Sequence, residues 1–358
     1  MTATTARPAL TILLVVPGSW HAPELERAWS EQGHRVVVVT SEPEAFPGAD
    51  VRPVHVGIAG RTSSHGAFQT ARLALFSRLA ARVVAGADAD VLVVWAGAAH
   101  ELGPRTRLPR ATVLVRSGPH VRTQARLLVD SPPGSWRPSA SAVRRGQQEY
   151  ARFPVTVPTR AIAADPAWGS VPVVVSGYGF PPVSVDLPER PDGPLRLVTL
   201  GEPEWRTGID RVDRLARLED VDYITLVAER RRSLDSLDAK LRSVGRQSPS
   251  GVADIFRRSH AMVLLSREEG QQRAGMEAMA AGLPIIVTRE TGLGAFCEDG
   301  AGVVVEADAT ADDYSAALAR VAAEWSLLSR RAQEIAAERT WADHADEVLT
   351  AALEIVHA

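Results

Sequence analysis

Residues 261–287 read AMVLLSREEGQQRAGMEAMAAGLPIIV. The two ends of this stretch, 261–265 and 285–287, are apolar runs typical of strands that are buried on both faces. Between them, the small residues of 274–281 predict a short helix that can pack closely against a sheet. A strand, a helix and a second strand in this order form a parallel βαβ unit, so we expect a parallel α/β domain around this stretch.

The same alternation of apolar runs and helical segments extends in both directions along the chain. In the C-terminal half, we expect strands at 195–200, 223–228 and 302–305, and helices at 210–218, 233–244, 311–338 and 342–356. In the N-terminal half, we expect strands at 10–16, 35–40, 91–95, 112–115, 155–157 and 171–175, and helices at 23–32, 67–84 and 142–152. Each half therefore predicts a Rossmann-like parallel sheet covered by helices.

The length of 358 residues corresponds to two domains at about 150 residues each. Prolines and glycines are concentrated at the junction of the two alternating halves, as in a linker. The expected fold class is α/β, with two Rossmann-like parallel-sheet domains that face each other across a cleft. We predict a first domain at 1–180, a linker at 181–194, a second domain at 195–338, and a C-terminal helix, 339–358, that packs back towards the first domain.

Composition excludes several classes of function. The chain has 40 basic and 43 acidic residues, a net charge of −3, so we expect no nucleic-acid partner. The single cysteine, Cys297, excludes an internal disulfide and a multi-cysteine zinc site, and it fits a reducing cytoplasm. We find no apolar run of about 18 residues, so we expect a cytoplasmic protein without a stable membrane anchor.

Sequence motifs for bound cofactors and metals are also missing. A GxGxxG fingerprint after a strand, a GxxxxGK[ST] loop and an HExxH helix are all absent, and the histidines show no metal-ligand spacing. Lys240 is the only lysine, so a Schiff base or a phosphate-binding lysine could use no other residue. We therefore expect neither a metal nor a tightly held cofactor.

Two carboxylates in the quoted stretch form the strongest candidate site. Glu269 follows the strand, and Glu277 lies on the helix eight residues later. Ligands of open α/β domains bind at this carboxyl edge of the sheet, and N–H groups at a helix start bind anions or sugar hydroxyls. The alternative is that Glu269 is a loop charge and Glu277 a solvated helix residue. The apolar stretch after Glu277 argues against that alternative, because an idle carboxylate would be costly there.

The pattern Ser266-x-x-Glu269-Gly270, followed by Glu277-Ala-Met-Ala-Ala-Gly-Leu-Pro284, resembles the E-x7-E motif of retaining GT-B glycosyltransferases of family 4. The resemblance continues through 291–293, 298–303 and 339–341, and it is weaker in the N-terminal half. It implies that Glu277 holds the nucleotide ribose and that Glu269 contacts the transferred sugar. It also implies that backbone N–H groups of three residues help to hold that sugar: Gly270, Gln271 and Gln272.

The resemblance breaks down where this family places an arginine and a lysine for the donor diphosphate. In residues 201–208, GEPEWRTG, Glu202 stands at the arginine position and Thr207 at the lysine position. Arg206 is one residue out of register, and its long guanidinium side chain could reach the diphosphate instead. We therefore take Arg206 and Thr207 as donor-binding candidates, with a surface role for Arg206 as the alternative.

The N-terminal candidates depart further from the family pattern. His120 lies two or three residues after the position of a catalytic-side histidine in the family, and its alternative is a structural loop histidine. Other polar and aromatic residues fall at the ends of predicted strands that face the cleft, with core packing as the alternative for each. These acceptor-side candidates are Gly18, Trp20, His21, Trp95 and Arg116.

The resemblance implies a retaining glycosyltransferase that moves a sugar from a nucleotide-diphosphate sugar to a small-molecule acceptor, such as a natural product. The nucleotide sugar is then a co-substrate and not a cofactor. Two alternatives stay open. One is a non-catalytic or weakly catalytic relative that binds a nucleotide, and the other is a pseudo-glycosyltransferase that couples a cyclitol nucleotide.

Overall fold

The structure is a computed structural model that describes residues 8–18, 21–56, 66–102, 107–133, 135–183, 189–228 and 237–354. It contains two parallel sheets, one in each half of the chain. The predicted α/β class with two parallel-sheet domains is confirmed.

The first sheet has seven parallel strands in the order β3-β2-β1-β4-β5-β6-β7. Its strands are β1 (Thr11–Val16), β2 (Arg35–Thr40), β3 (Asp50–Pro53), β4 (Val91–Trp95), β5 (Ala111–Val115), β6 (Val155–Val157) and β7 (Val173–Val175). The helices of this half are α1 (Ala22–Glu31), α2 (Gly66–Ala85), α3 (Val121–Leu127), α4 (Ala140–Tyr150) and α5 (Arg160–Ala163). Every residue of β4 and β5 is buried, which explains their unbroken apolar sequences.

The second sheet has six parallel strands in the order β10-β9-β8-β11-β12-β13. Its strands are β8 (Leu195–Leu200), β9 (Val221–Val227), β10 (Leu241–Ser243), β11 (Ala261–Leu264), β12 (Ile285–Thr288) and β13 (Gly302–Val305). The helices of this half are α6 (Ile209–Ala216), α7 (Pro249–Arg258), α8 (Arg273–Ala280), α9 (Gly294–Phe296), α10 (Ala311–Ala337) and α11 (Trp341–Glu354). In both sheets the strand order reverses beside the first strand of the domain, where ligands of such folds bind.

The last helix, α11, packs on the first sheet although its sequence follows the second domain. Ala345, Val348 and Leu349 are buried in the core of the N-terminal domain. The indole Nε1 of Trp29 on α1 donates a hydrogen bond of 3.0 Å to the Ala345 carbonyl oxygen. Through these contacts, α11 packs the C-terminal segment of the chain against the first domain.

The chain crosses between the domains twice, and the two crossings lie against each other. The Arg339 guanidinium donates to the Gly177 carbonyl oxygen and pairs with Glu347. A Cβ atom on Gly179 would lie 2.2 Å from the Trp341 nitrogen, so only glycine allows the two crossing segments to approach this closely. The crossings thus hold the two sheets beside each other with their carboxyl edges adjacent.

One predicted element is wrong. The helix expected at 233–244 is, in its described part, a turn followed by strand β10, and residues 229–236 lie outside the described residues. Lys240 Nζ donates hydrogen bonds of 2.7 Å to the carbonyl oxygens of Leu218 and Val221. The only lysine of the chain therefore stabilises the turn that precedes edge strand β10. These tertiary hydrogen bonds outweigh the helical propensity of the charged residues around Lys240.

Candidate functional site

A cavity of about 360 Å³ lies between the carboxyl edge of the first sheet and the loop after β8. The ends of β4 and β5, together with α3 and α4, supply most of its wall. Two acceptor-side candidates, Trp95 and Arg116, line it, and Arg206 lines it from the second domain. The structure therefore brings predicted residues from both domains to one cavity.

Arg206 forms an ion pair with Glu269 at the edge of this cavity. Its Nη1 atom lies 2.6 Å from Glu269 Oε2 and 3.6 Å from Glu268 Oε1. The two carboxylates, the nearer Glu269 first, raise the pKa of Arg206 above its usual value. The predicted donor-binding arginine is thus oriented by two carboxylates, and its side chain is only 25% exposed, which does not fit the surface role considered as the alternative.

Glu268 is a site residue that the sequence analysis missed. Its side chain is 2% exposed, and its Oε1 atom accepts a hydrogen bond of 2.9 Å from Gln124 Nε2 of the first domain. Burial raises the pKa of Glu268 above the usual range for a carboxyl group, although the Arg206 guanidinium opposes this effect. The sequence signal was a second carboxylate beside Glu269 in the loop that follows a buried strand.

A path of hydrogen bonds and ion pairs joins the two domains through these side chains. Arg116 Nη2 donates a hydrogen bond of 3.0 Å to Gln124 Oε1, and Gln124 donates in turn to Glu268. Glu268 then faces Arg206, which pairs with Glu269. Three side chains, those of Gln124, Glu268 and Arg206, therefore lie between Arg116 of the first domain and the Glu269 carboxylate.

Gly270 provides the closest contact between the domains at this point. A Cβ atom on Gly270 would lie 1.7 Å from the Ser117 carbonyl oxygen, so no larger residue fits without moving a domain. The next residue, Gln271, is buried, and its Oε1 atom accepts a hydrogen bond of 2.6 Å from the Tyr178 N–H group. These two predicted sugar-binding residues thus also connect the second domain to the first.

Gln272 precedes the first turn of α8, and its Nε2 atom donates a hydrogen bond of 2.9 Å to Ser266 Oγ. Its Oε1 atom is buried and has no hydrogen-bond partner among the residues that the structure describes. Gln272 also lines a small cavity with Thr207 and Gly201, where the loop after β8 meets the start of α8. This is the position that the family resemblance gives to the donor.

Glu277 pairs with Arg273 on the exposed side of α8. The distance from Arg273 Nε to Glu277 Oε1 is 2.8 Å, and Arg273 Nη1 lies 2.9 Å from Glu24 Oε1 on α1. The Glu277 side chain is 32% exposed, while the apolar residues that follow it point into the core. The expectation that this carboxylate lies in an apolar environment is wrong, because successive helical residues face different sides.

Thr207 uses its hydroxyl group inside its own loop. The hydroxyl donates to the Glu202 carbonyl oxygen at 2.6 Å and accepts from the Glu204 N–H group at 3.0 Å. The next residue, Gly208, has φ +76°, and a Cβ atom there would lie 1.9 Å from the Leu265 carbonyl oxygen. Thr207 therefore shapes the loop that carries Arg206 against the end of β11.

His120, the predicted catalytic-side histidine, does not line the cavity, and its contacts are those of the structural loop histidine considered as the alternative. Its Nδ1 atom accepts a hydrogen bond of 3.2 Å from the Arg122 N–H group and so caps α3. The ring packs against Tyr150 and Trp168, with centroid distances of 5.0 and 4.7 Å. Burial lowers the pKa of His120 to about 4, so the imidazole is neutral and structural.

The remaining acceptor-side candidates lie outside the cavity or outside the described part of the chain. His21 is buried beside Tyr178, with a centroid distance of 4.1 Å, and burial lowers its pKa to about 3. Gly18 lies near the Glu42 carboxylate, 3.7 Å from the position of a Cβ atom. Trp20 lies outside the described residues. Core packing, the alternative considered for these positions, is correct for His21.

Comparisons with known proteins match the second domain to a family. Residues 195–324 match the model of the family described as Glycosyl transferases group 1, and this segment contains Arg206, Glu269 and Glu277. A D-inositol 3-phosphate glycosyltransferase from Rhodococcus erythropolis is 30% identical over 166 residues, which are 46% of this chain and 34% of that protein. The chain thus spans about a third of the length of this curated relative.

Solved structures with the same fold cover nearly the whole chain. A sucrose-phosphate synthase from Thermosynechococcus elongatus has a TM-score of 0.74 at 16% identity, covering 94% of this chain and 96% of that one. Anabaena HepE, in complex with UDP and glucose, has a TM-score of 0.62 at 15% identity, covering 97% of this chain and 98% of that one. The GT-B arrangement of two facing domains expected from the sequence is therefore confirmed.

Within the described ranges, the structure contains no helix that is both long and apolar enough to cross a membrane.

Proposed function

We propose that the protein is a retaining glycosyltransferase that moves a sugar from a nucleotide-diphosphate sugar to a small-molecule acceptor. The observation that carries this proposal is the ion pair of 2.6 Å between Arg206 and Glu269 at the carboxyl edge of the second sheet. It lies inside the segment that matches the group 1 glycosyl transferases and beside a cavity formed by both domains. The UDP and glucose complex of a protein with this fold supports a nucleotide-sugar donor.

The donor binds to the second domain in this proposal. Glu277, at 32% side-chain exposure, accepts hydrogen bonds from the ribose hydroxyls, for which a carboxylate is a suitable bidentate acceptor. Glu269 faces the transferred sugar together with the backbone of 270–272. The acceptor occupies the cavity lined by Trp95 and Arg116, so the two substrates meet at the Arg206–Glu269 pair.

Arg206 links donor binding to the orientation of Glu269. A guanidinium group pairs with phosphate and with carboxylate in the same bidentate geometry. A diphosphate placed beside Arg206 takes over part of its pairing, and one Glu269 oxygen then becomes available to a sugar hydroxyl. The positive charge also stabilises the negative charge that develops on the leaving diphosphate.

The transfer breaks the bond between the anomeric carbon and the donor phosphate oxygen and forms a bond to an acceptor hydroxyl oxygen. The acceptor proton moves to the leaving diphosphate, whose oxygen takes up the bonding electron pair. Retention follows when the hydroxyl attacks on the face from which the diphosphate departs. The protein supplies orientation and electrostatic stabilisation, since none of these steps needs a covalent enzyme intermediate.

A second candidate function is that of a nucleotide-binding relative with little or no transferase activity. Glu202, a carboxylate, stands where the resembled family has a basic residue, and it lines the cavity. A carboxylate near a diphosphate opposes its binding. In this case the protein binds a nucleotide, but it does not cleave the bond between the nucleotide and the sugar of a nucleotide sugar.

A transfer assay tests the proposal and separates these functions. The full chain is incubated with UDP-, GDP- and TDP-sugars and a panel of hydroxylated acceptors, and nucleotide release and product mass are measured. We expect the wild type to release nucleotide from at least one donor. The rate of nucleotide release should decrease about 100-fold in Glu269→Gln. The rate should be unchanged in Glu298→Gln, which alters an exposed ion pair with Arg289. Nucleotide binding without release from any donor would favour the second function. NMR of the product identifies its anomeric configuration.

A further inference from the structure

The side chains of Arg206, Glu268 and Glu269 place two carboxylates against one guanidinium group. Arg206 Nη1 lies 2.6 Å from Glu269 Oε2 and 3.6 Å from Glu268 Oε1. The neighbouring Arg267 adds no free positive charge, because its guanidinium group is paired with Asp210 at 2.8 Å. This cluster therefore carries one negative charge more than it can neutralise when both of its glutamates are ionised.

Glu268 is the member of this cluster that the first domain covers. Gln124 Nε2 on α3 donates a hydrogen bond of 2.9 Å to Glu268 Oε1, and Arg116 at the end of β5 reaches the carboxylate only through Gln124. A Cβ atom on Gly118 would lie 3.9 Å from Glu268 Oε2, so the backbone of the first domain lies beside the second oxygen. The side chain is 2% exposed, and the surroundings supply an amide but no second ion pair.

These surroundings make the charged form of Glu268 costly. Burial raises the pKa of Glu268 above the usual range of a carboxyl group, and the Glu269 carboxylate acts in the same direction. Arg206, Gln124 and Arg116 oppose this change but do not cancel it. Glu268 is therefore the carboxylate of the cluster that takes up a proton most readily when further negative charge arrives.

The diphosphate of a nucleotide sugar brings such negative charge to Arg206. Glu202 and Thr207 stand where the resembled family has basic residues, so Arg206 faces the diphosphate without their help. In the described part of the chain, Arg206 uses only Nη1 for its hydrogen bonds, which leaves Nε and Nη2 for a ligand. A proton on Glu268 removes one carboxylate charge that competes with the diphosphate, while Glu269, which is 27% exposed, keeps its charge at less cost.

We propose that the binding of a nucleotide-diphosphate sugar is coupled to the uptake of a proton by Glu268. The inference rests on the proposed function, because it describes how the donor site of that transfer accepts a diphosphate. The proton comes from the solvent and binds to Oε2, which makes no hydrogen bond within the described ranges, so Gln124 continues to donate to Oε1. Arg206 then pairs with the diphosphate and with ionised Glu269. Glu268 is thus a positioning residue that acts through Arg206.

Titration calorimetry of the full chain measures this proton directly. UDP-, GDP- and TDP-glucose are titrated at about pH 7.5 in buffers with different enthalpies of ionisation. The charge of these donors is constant between about pH 6.5 and 8, so a proton taken up belongs to the protein. We expect an uptake of about 0.5 proton or more for each donor bound. Because the bound state holds more protons, the affinity should decrease about fivefold from pH 6.5 to 8.

Glu268→Gln is the decisive variant, because its amide group can still accept from Gln124 but cannot titrate. We expect it to bind the donor without proton uptake and with an affinity that does not depend on pH. Two matched changes should retain the uptake: Glu298→Gln at an exposed carboxylate, and Glu149→Gln at a buried carboxylate with a raised pKa. Gln124→Met removes the hydrogen bond that favours ionised Glu268, so the decrease in affinity should move to higher pH. This shift tests the assignment even if Glu268→Gln does not fold.

Donor binding by the wild type without proton uptake would overturn the inference and leave the proposed function intact. Uptake that persists in folded Glu268→Gln, or that disappears in Glu149→Gln, would also overturn it, because the proton then belongs to another group. If none of the three donors binds to the wild type, the proposed function fails and the inference fails with it. The binding measurement and the proton count therefore separate the two failures.

Discussion

Arg206 and Glu269 come from different loops of the second domain, and their ion pair of 2.6 Å faces the cavity that the first domain forms. Because the side chains are only 25% and 27% exposed, water screens the pair weakly. The pair therefore both stabilises the loop after β8 and orients the carboxylate proposed to contact the transferred sugar.

Removal of Arg206 should destabilise the protein through the carboxylates that it leaves behind. We expect Arg206→Ala to lower the free energy of unfolding by about 1–3 kcal/mol, because Glu268 is buried and Glu269 loses its partner. Urea unfolding of Arg206→Ala, Glu269→Ala and the double variant measures the coupling. Additive effects would show that the pair contributes nothing. Arg320→Ala, which removes an exposed helical pair with Glu324, is the control.

Gly270 should tolerate no side chain, because the Ser117 carbonyl oxygen occupies the position of its Cβ atom. Gly270→Ala is expected to push the domains apart, lower the unfolding temperature by several degrees, and increase the radius of gyration in solution scattering. The matched control is Gly86→Ala, where the nearest atom to a Cβ lies at 3.9 Å. An unchanged scattering curve and unfolding temperature for Gly270→Ala would refute the close contact.

His120 should act through the start of α3 and not in the reaction. Asparagine is a good helix N-cap and alanine is a poor one, so His120→Asn should be about 1 kcal/mol more stable than His120→Ala. Both variants lose the ring contacts with Tyr150 and Trp168, so their difference reports on the cap alone. Transfer per folded molecule should remain within severalfold of wild type in His120→Asn. A loss of about 100-fold without loss of folding would restore a catalytic role.

Glu149 should make stability depend on pH in a window set by its raised pKa. Burial raises this pKa to about 7 from the ordinary 4.5, although the Gly97 N–H group and Arg116 oppose the change. The protonated form therefore favours the folded state. Its stabilisation is complete below about pH 4.5 and is lost as the pH rises through about 7, by at most about 1.4 kcal/mol for each pH unit. Urea unfolding from pH 4 to 8 should show a smaller decrease in Glu149→Gln, and parallel curves would contradict the assignment.

The sequence predicted the sheets because their strands are continuous apolar runs, as in 10–16 and 261–265, and burial on both faces requires such runs. The prediction of a helix around Lys240 was wrong, because the edge strand β10 lies in a polar segment and has no apolar pattern in its sequence. Glu277 illustrates another limit. The residues after it predicted a buried environment, but only a helix with a known face shows that its carboxylate points outward towards Arg273.

The site was predicted in part, and its missing members depend on contact between the domains. Glu268 is buried by the first domain and bound by Gln124, a partner 144 residues away in sequence. Glu149 reaches the cavity from α4, and no local pattern distinguishes it from an exposed helical glutamate. His120 was chosen because its position along the chain resembles the family pattern, but the sequence does not show that its ring packs in the core against Trp168.

The most direct test of the central claim is unfolding of the full chain with and without UDP, GDP and TDP. A nucleotide at about 100 times its dissociation constant should raise the free energy of unfolding by about 2.7 kcal/mol. We expect at least one nucleotide to do so with the wild type and with Glu298→Ala, and a much smaller effect with Glu277→Ala. No stabilisation of the wild type by any of the three would contradict the nucleotide-sugar site, and equal stabilisation of Glu277→Ala would contradict the ribose contact.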